Sequence, residues 1–458
     1  MIMKLERLET PGIAHFSYLL ADGARALVVD PRRDIDVYLR KAQEFGVQIT
    51  HVLETHRQED FVMGSAHLAR VTGAQVANGT HECFGRGDVR LEDGDEFDFG
   101  SLRVKALSTP GHTPESMCYA VFSDDATAAW CVFTGDTLFF GETGRTDLPD
   151  AAKSVENAAL LYDSVHEKLA DLGDTALVMP AHGPGSVCGS GMAERPMSTL
   201  GEEKLYNVVF TKDRDTFARE KGSERLPRPP YFRIMERVNL EGGKPLEKPL
   251  GMVSMMDPEK FARGMTGTTV YDTREPEAFA GGHVEGAYSI WLGGLPVFGG
   301  WMADENDPVM LVTDRGEDVA QAAVHLARIG LDNVVGALAD GFGNWRKSGQ
   351  AVQRSGAITP TELSAEGGAC QILDVREPDE FAAAHIKGAK SLYVGHLEDG
   401  VASLDLDKQA PVVVTCGVGH RAGLGVSILQ RAGFQDVRNL IGGMSAWLAM
   451  GLPVEEGE

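Results

Sequence analysis

The stretch YDTREPEAFAGGHVEGAYSI that begins at Tyr271 returns as LDVREPDEFAAAHIKGAKSL at Leu373, and this repeat constrains the fold more than any other feature of the chain. Asp272 answers to Asp374 and Trp345 to Trp447, both at an offset of 102 residues, with a one-residue slip between them where IGLDNVV meets AGFQDVR. A repeat of that length is a duplicated domain, not a solenoid unit. Each copy opens on a β-branched strand, crosses an amphipathic stretch and reaches a second apolar strand, PVMLVT or PVVVT, before a helix-like run. Alternating strand and helix predicts a small α/β domain built on a parallel sheet.

At 458 residues the chain exceeds a single core, and about 100–200 residues per domain predicts three. The Pro-, Gly- and charge-rich segment REKGSERLPRPPYFRIMERVNLEGGKPLEKPLG separates the repeat from the first half. It reads as a linker that partly packs back, because PPYFRIM is too aromatic for a solvated tether. The expected domains are 1–245, 251–352 and 357–458. With 43 Lys and Arg against 67 Asp and Glu, the net charge of −24 repels nucleic acid and anionic membrane surfaces. Small anionic substrates therefore need a local basic pocket. Charges interrupt MIMKLERLETPGIAHFSYLL where a signal peptide needs an apolar run, and no 18-residue apolar stretch occurs, so a cytoplasmic location is expected. The six cysteines lack metal-type or framework spacing and read as thiols of a reducing compartment.

In the first half, VQITHVLETH reads as a strand, EDFVMGSAHLARVTG as the helix after it, and LEDGDEFDFGSLRVKALSTPGHT as a hairpin leading into a loop. Val155, Ala158, Tyr162, Val165, Leu169 and Leu172 recur at three- and four-residue steps and predict one apolar helix face. His51 and His67 read as packing residues. Four His- or Asp-bearing pieces, ETHRQED, STPGHTPES, VFTGDTLF and MPAHGPGS, each follow a strand, where loops converge on a common site.

In this order the four pieces resemble the metallo-β-lactamase superfamily, whose fold is an αβ/βα sandwich with metal at the strand ends. That family writes its first motif His-x-His-x-Asp-His, whereas this chain has His56, Gln58, Asp60 and Phe61. The resemblance assigns His56, position 58 and His112 to a first metal, and Asp60, position 61 and His182 to a second, with Asp136 shared. Phenylalanine binds no metal and an amide is a poor substitute for imidazole, so a two-zinc thioester hydrolase of the glyoxalase II type is disfavoured. His56, His112 and Asp136 remain, which is the composition of the mononuclear iron facial triad. The persulfide dioxygenase branch resembles this pattern and implies one Fe(II) per chain. GETGRTDLP resembles the Gly-Arg-Thr-Asp signature of that branch. Arg145 is expected either to meet a substrate carboxylate or to order its loop with Asp147. Gln58 and Asp60 are expected to orient ligands, and His182 to face substrate or water. Cys188, on a Gly-rich loop after His182, is a candidate persulfide relay as well as a candidate filler. Cys118 and Cys131 read as core.

DVREPDEF, HIKGAKSL and GGMSAWLAMGLPV resemble the rhodaneses, the sulfur-transfer domains, with CGVGHR at the position of their catalytic loop. Cys416 opens a six-residue loop that ends at Arg421 and leads into a helix. Backbone N–H groups, the helix start and Arg421 are expected to stabilise a thiolate and then a persulfide. In the first copy the same offset lands on Asp314, which cannot carry sulfane sulfur, so residues 251–352 read as an inactive copy.

Together the resemblances imply an α/β multidomain chain, a metallo-β-lactamase sandwich followed by two rhodanese-like α/β domains. They imply a dioxygenase that oxidises a low-molecular-weight thiol persulfide with O2, linked through Cys416 to sulfite and thiosulfate in sulfide detoxification. The thiol carrier is glutathione, coenzyme A or another, and a homo-oligomer is implied. Two alternatives stay open: a metal-dependent thioester hydrolase, and a non-catalytic scaffold whose sole activity is the rhodanese.

Overall fold

Strands in which Val and Leu recur, several of them buried on both faces, build the first half of the chain. In the computed structural model, which describes residues 3–123, 126–148, 150–189, 191–246 and 252–457, they form two six-stranded sheets. The first runs in the order β1 (Lys4–Thr10), β2 (His15–Asp22), β3 (Arg25–Val29), β4 (Gln48–Leu53), β5 (Gln75–Gly79), β6 (Val89–Leu91). The second contains β7 (Glu96–Phe99), β8 (Leu102–Ser108), β9 (Met117–Ser123), β10 (Cys131–Gly135), β11 (Leu177–Pro180) and β12 (Ser198–Thr199), again in sequential order. β2 is buried at every residue, as a central sandwich strand must be. Tyr18, Leu20, Leu27 and Leu53 of the first sheet meet Val104, Tyr119, Val121 and Phe133 of the second in one core. Helices cover the outer faces, Asp36–Phe45 and Ser65–Thr72 on the first sheet and Ser154–Ser164 on the second. This is the expected αβ/βα sandwich.

Several local expectations need correcting. The helix expected over EDFVMGSAHLARVTG begins only at Ser65. Residues 58–63 are held off the helix by Asn239, whose Nδ2 donates to the carbonyls of Gln58 and Phe61 at 2.7 and 2.8 Å. Its Oδ1 accepts the Met63 N–H at 2.8 Å. Asn239 lies on the helix Phe232–Leu240, so the expected linker does fold back, and its residues 247–251 lie outside the described residues. On the helix Ser154–Ser164, Val155 is 51% exposed and Leu161 takes its place in the buried stripe with Ala158, Val165 and Leu169. One turn of π-helix, Val165–Leu169, carries the stripe onward past the end of that helix. The β7–β8 hairpin forms antiparallel as expected. Cys118 and Cys131 are fully buried, and all six cysteines are free. His51 stacks on Phe97 and stays outside every ligand cluster.

The chain divides into two compact units, Met1–Glu247 with Arg328–Gly330, and Lys248–Ala327 with Leu331–Glu458. The second unit holds two five-stranded parallel sheets. One runs β13 (Met255–Met256), β17 (Val334–Leu338), β16 (Val309–Val312), β14 (Thr269–Asp272), β15 (Tyr288–Ser289). The other runs β18 (Gly356–Ile358), β22 (Val437–Leu440), β21 (Val412–Thr415), β19 (Gln371–Asp374), β20 (Lys390–Ser391), the same order. The repeat extends to side-chain contacts. Arg274 clasps Asp272 as Arg376 clasps Asp374, and His283 stacks on Phe279 as His385 does on Phe381. The indoles of Trp345 and Trp447 donate to the carbonyls of Ala351 and Pro453. Among the described residues no helix is long and apolar enough to cross a membrane.

Candidate functional site

His56, His112, Asp136 and His182 follow the C-terminal ends of β4, β8, β10 and β11, so the sandwich delivers all four to one end. His56 is placed by its neighbour. Thr55 gives its N–H and Oγ1–H to the two carboxylate oxygens of Asp30 at 2.8 and 2.7 Å, and its carbonyl accepts the Met117 N–H at 2.7 Å. Its Oγ1 also lies 2.9 Å from His56 Nδ1, which leaves Nε2 as the inward atom. Burial pushes the Asp30 carboxyl up to about 7 and the His56 imidazole down to about 3.

His112 is fixed by a different device. Its Nδ1 lies 2.7 Å from the Arg145 carbonyl, again leaving Nε2 inward. Gly144 makes this possible, because a Cβ there would sit 2.3 Å from the Asp136 carbonyl and 2.7 Å from His112 Nδ1. We expect Gly144→Ala to push His112 out of register and lower metal content by about 10-fold or more, the scale on which residues supporting metal ligands act. Metal analysis of the purified variant checks this, and full occupancy would contradict it.

Inside this frame, His56 Nε2 and His112 Nε2 stand 3.7 and 3.4 Å from Asp136 Oδ2, and the two imidazoles lie edge to face. All three atoms are buried and none has a hydrogen-bond partner among the described residues. An orphaned buried polar atom costs about 1–3 kcal/mol, so three converging ones mark a place made for a cation. The ligand atoms lie within 4.8 Å of one another, and two imidazoles with one carboxylate are a metal-binding set. The residues fit a metal ion.

The neighbouring space is built differently. His182 Nδ1 lies 2.8 Å from Asp136 Oδ1 and its Nε2 lies 3.1 Å from Asp60 Oδ2. Burial opposes its charge, but the two carboxylates win and raise its pKa well above the usual imidazole value. The imidazole expected to face substrate or water is thus fully enclosed and holds Asp136 in place. Asp60 acts on the site through His182. Gln58 does not orient a ligand, since its buried amide makes no hydrogen bond on either atom. Phe61 packs on His15 at 4.1 Å between ring centroids. Cys188 is buried against Asp60 and His182, and burial followed by the Asp60 and Asp136 carboxylates pushes its thiol well above the ordinary range, which disfavours a reactive thiolate there.

Of the two roles expected for Arg145, the structure shows the loop-ordering one. The side chain is 1% exposed, clasps Asp147 through two bonds of 2.6 Å, and spends its other donors on the carbonyls of Val187, Leu226 and Pro227. No donor is left for a substrate carboxylate. His15, by contrast, has no place in the sequence motifs. It is fully buried, its Nδ1 lies 3.0 Å from Thr10 Oγ1, and its Nε2 has no partner among the described residues. The backbone bridge between His15 and His182 brings it there, a contact no local pattern announces.

In the second unit Cys416 follows β21 and is 1% exposed. The Gly419 N–H donates to its Sγ at 3.1 Å, and Asn439 Nδ2 holds the Gly419 carbonyl at 3.0 Å. The N–H groups of Met444 and Ser445 bond the carbonyls of Cys416 and Gly417. Gly443 permits that approach, since a Cβ there would lie 2.2 Å from the Cys416 carbonyl. Arg421 stands beside the loop, but both terminal nitrogens donate to Glu380 at 2.6 and 2.8 Å, so its charge is shared with a carboxylate. The counterpart of Cys416, Asp314, is exposed on a loop whose Arg315 is paired to Asp318.

Residues 10–182 match the metallo-beta-lactamase superfamily, and 257–348 and 359–450 each match the rhodanese-like domain. The mitochondrial persulfide dioxygenase of Homo sapiens is 29% identical over 255 residues, spanning 52% of this chain and 88% of its own length. An uncharacterized protein of Mycobacterium leprae is 32% identical over 218 residues, 42% of this chain and 90% of its own. A crystal structure of a metallo-beta-lactamase from Staphylococcus aureus superimposes with a TM-score of 0.66 at 28% identity, covering 74% of this chain and 99% of that one. The chain carries an N-terminal metallo-beta-lactamase domain with persulfide dioxygenase homologues, followed in sequence by two tandem rhodanese-like domains.

Proposed function

We propose that the protein oxidises low-molecular-weight thiol persulfides with O2 at one Fe(II) held by His56, His112 and Asp136, and carries sulfane sulfur on Cys416. The observation behind the first half is the trio of buried, partnerless donor atoms beside a second compartment that His182 fills between two carboxylates. The relative named persulfide dioxygenase supports the same reading. When bound, iron supplies open coordination positions and redox chemistry for O2. The chain contributes the rest. Thr55 and the Arg145 carbonyl aim the two imidazoles, His182 holds Asp136, and the apolar Phe61 stands where the superfamily has a second-metal ligand. Anaerobic purification with metal analysis, followed by O2 uptake on glutathione and coenzyme A persulfides, tests the reading. About one iron per chain and iron-dependent uptake are expected. Two zinc ions and thioester hydrolysis would replace it with the hydrolase.

For the second half, the enclosed Sγ of Cys416, the Gly419 N–H and the helix start are the features that suit a persulfide anion. Cys416→Ser is expected to remove sulfur transfer from thiosulfate to cyanide, whereas Asp314→Ala leaves it at the parent rate. Substantial transfer in the serine variant would place the nucleophile elsewhere.

A further inference from the structure

We propose that the inactive rhodanese-like copy positions the sulfur-carrying loop of the active one, through Trp291 and Glu275 acting on His420. The inference rests on the reading of Cys416 as the sulfur carrier. His420 is the fifth residue of the loop and the first of the helix His420–Arg431. Its imidazole stacks on Trp291, 4.7 Å between ring centroids with 22° between planes, and its Nε2 lies 3.0 Å from a Glu275 carboxylate oxygen. Both partners belong to the copy that lacks the cysteine.

The contact continues down one face of the helix. Gly423 lies against Pro276 so closely that a Cβ would meet its ring at 2.9 Å. Ser427 Oγ accepts the Ser289 N–H at 3.1 Å, and the Arg431 guanidinium lies 4.1 Å from the centre of the Tyr288 ring. Residues 420, 423, 427 and 431 recur at three- and four-residue steps, so a single stripe is docked on the inactive copy. The loop is thereby fastened from two sides. Asn439, Met444 and Ser445 grip Gly419, Cys416 and Gly417 from within the active copy, and the neighbouring copy grips the residue after Gly419. Val418, between these anchors, is 55% exposed.

The chemical consequence follows from adjacency. Gly419, whose N–H points at Cys416 Sγ, is bonded directly to His420. Displacing His420 turns that donor away from the sulfur, and stabilisation of the thiolate and of the persulfide is lost with it. Of the two contacts the ring stack is the larger, because the carboxylate of Glu275 is 65% exposed and an exposed pair is weak. The inactive copy does not offer the reverse arrangement, since the residue matching His420, Asp318, is engaged by Arg315 of its own loop.

The test is steady-state sulfur transfer by the full-length chain. Trp291→Ala and His420→Ala are each expected to lower kcat by about 10–100-fold, the penalty of a misplaced reacting group, with KM changed by less than about 2-fold. Trp291→Phe keeps a stacking ring and restores kcat to within about 3-fold of the parent. The double variant should be no worse than the poorer single one, because both remove one contact. Should Trp291→Ala fold poorly, His420→Ala, altered at a partly exposed side chain, reads the same contact. Parent-level kcat in His420→Ala, additive losses in the double variant, or a rise in KM at constant kcat would overturn the proposal. Failure of Cys416→Ser to abolish transfer would instead overturn the assignment of the carrier.

Discussion

On the proposed function, His112→Ala is expected to leave the protein without iron and to reduce persulfide-dependent O2 uptake by at least about 100-fold, beyond the 10–100-fold typical of residues that merely support a ligand. The size follows from how few alternatives the site has. His112 Nδ1 is committed to the Arg145 carbonyl, so Nε2 is the sole atom the residue can offer, and alanine replaces it with nothing. The remaining His56 and Asp136 make two ligands. The motif neighbours offer little: the Gln58 amide is a weak donor, Phe61 has none, and both His182 nitrogens already face carboxylates. His56→Ala and Asp136→Ala should behave alike, with Asp136→Ala also freeing His182 Nδ1. Metal analysis and an oxygen electrode on the same preparation decide the matter. Full uptake in His112→Ala, or uptake that persists without iron, would end the iron reading.

The second large effect is a change of product. On the proposed function, a persulfide, one O2 and one water would give the carrier thiol and sulfite, the outer sulfur being oxidised and O2 reduced. Thiosulfate needs a further sulfane sulfur. Cys416, once its thiolate has taken the outer sulfur of another persulfide, presents that sulfur to sulfite. A new sulfur–sulfur bond forms, the bond to Cys416 Sγ breaks, and the thiolate leaves. A covalent tether holds acceptor and source at an effective concentration of about millimolar, limiting escape of sulfite. The intact chain, given excess persulfide and O2, should therefore yield mainly thiosulfate, and Cys416→Ser mainly sulfite at a similar rate of O2 uptake. Chromatography of the products reads the outcome, and thiosulfate as the main product of the serine variant would separate the two activities.

The parts of this arrangement that were legible in the sequence are those written in local patterns or repeats. The constant offset between Asp272 and Asp374 emerges as two sheets of identical strand order, and the four motifs converge because each trails a strand. The parts that were not legible depend on partners far along the chain. Residues 59–64 read as the start of a helix, yet Asn239, some 180 positions away, claims the carbonyls of Gln58 and Phe61 and keeps the segment off it. Arg145 looks like an anion-binding residue until Val187, Leu226 and Pro227 take its donors. His15 enters the site by a backbone bridge, and Asp30 by a hydrogen bond to Thr55, neither of which leaves a spacing to detect. Charge and size were visible in the residue types, but which group satisfies which was decided by the fold.

The three inward donor atoms have a consequence for turnover. A chain folded without its metal keeps His56 Nε2, His112 Nε2 and Asp136 Oδ2 enclosed with no protein hydrogen-bond partner among the described residues, and a ligand that binds the folded form alone adds stability by mass action. On the proposed function, a cell short of iron would accumulate the less stable form, which opens to proteases more often. The amount of the protein, and not merely the activity of each molecule, would then follow the iron supply.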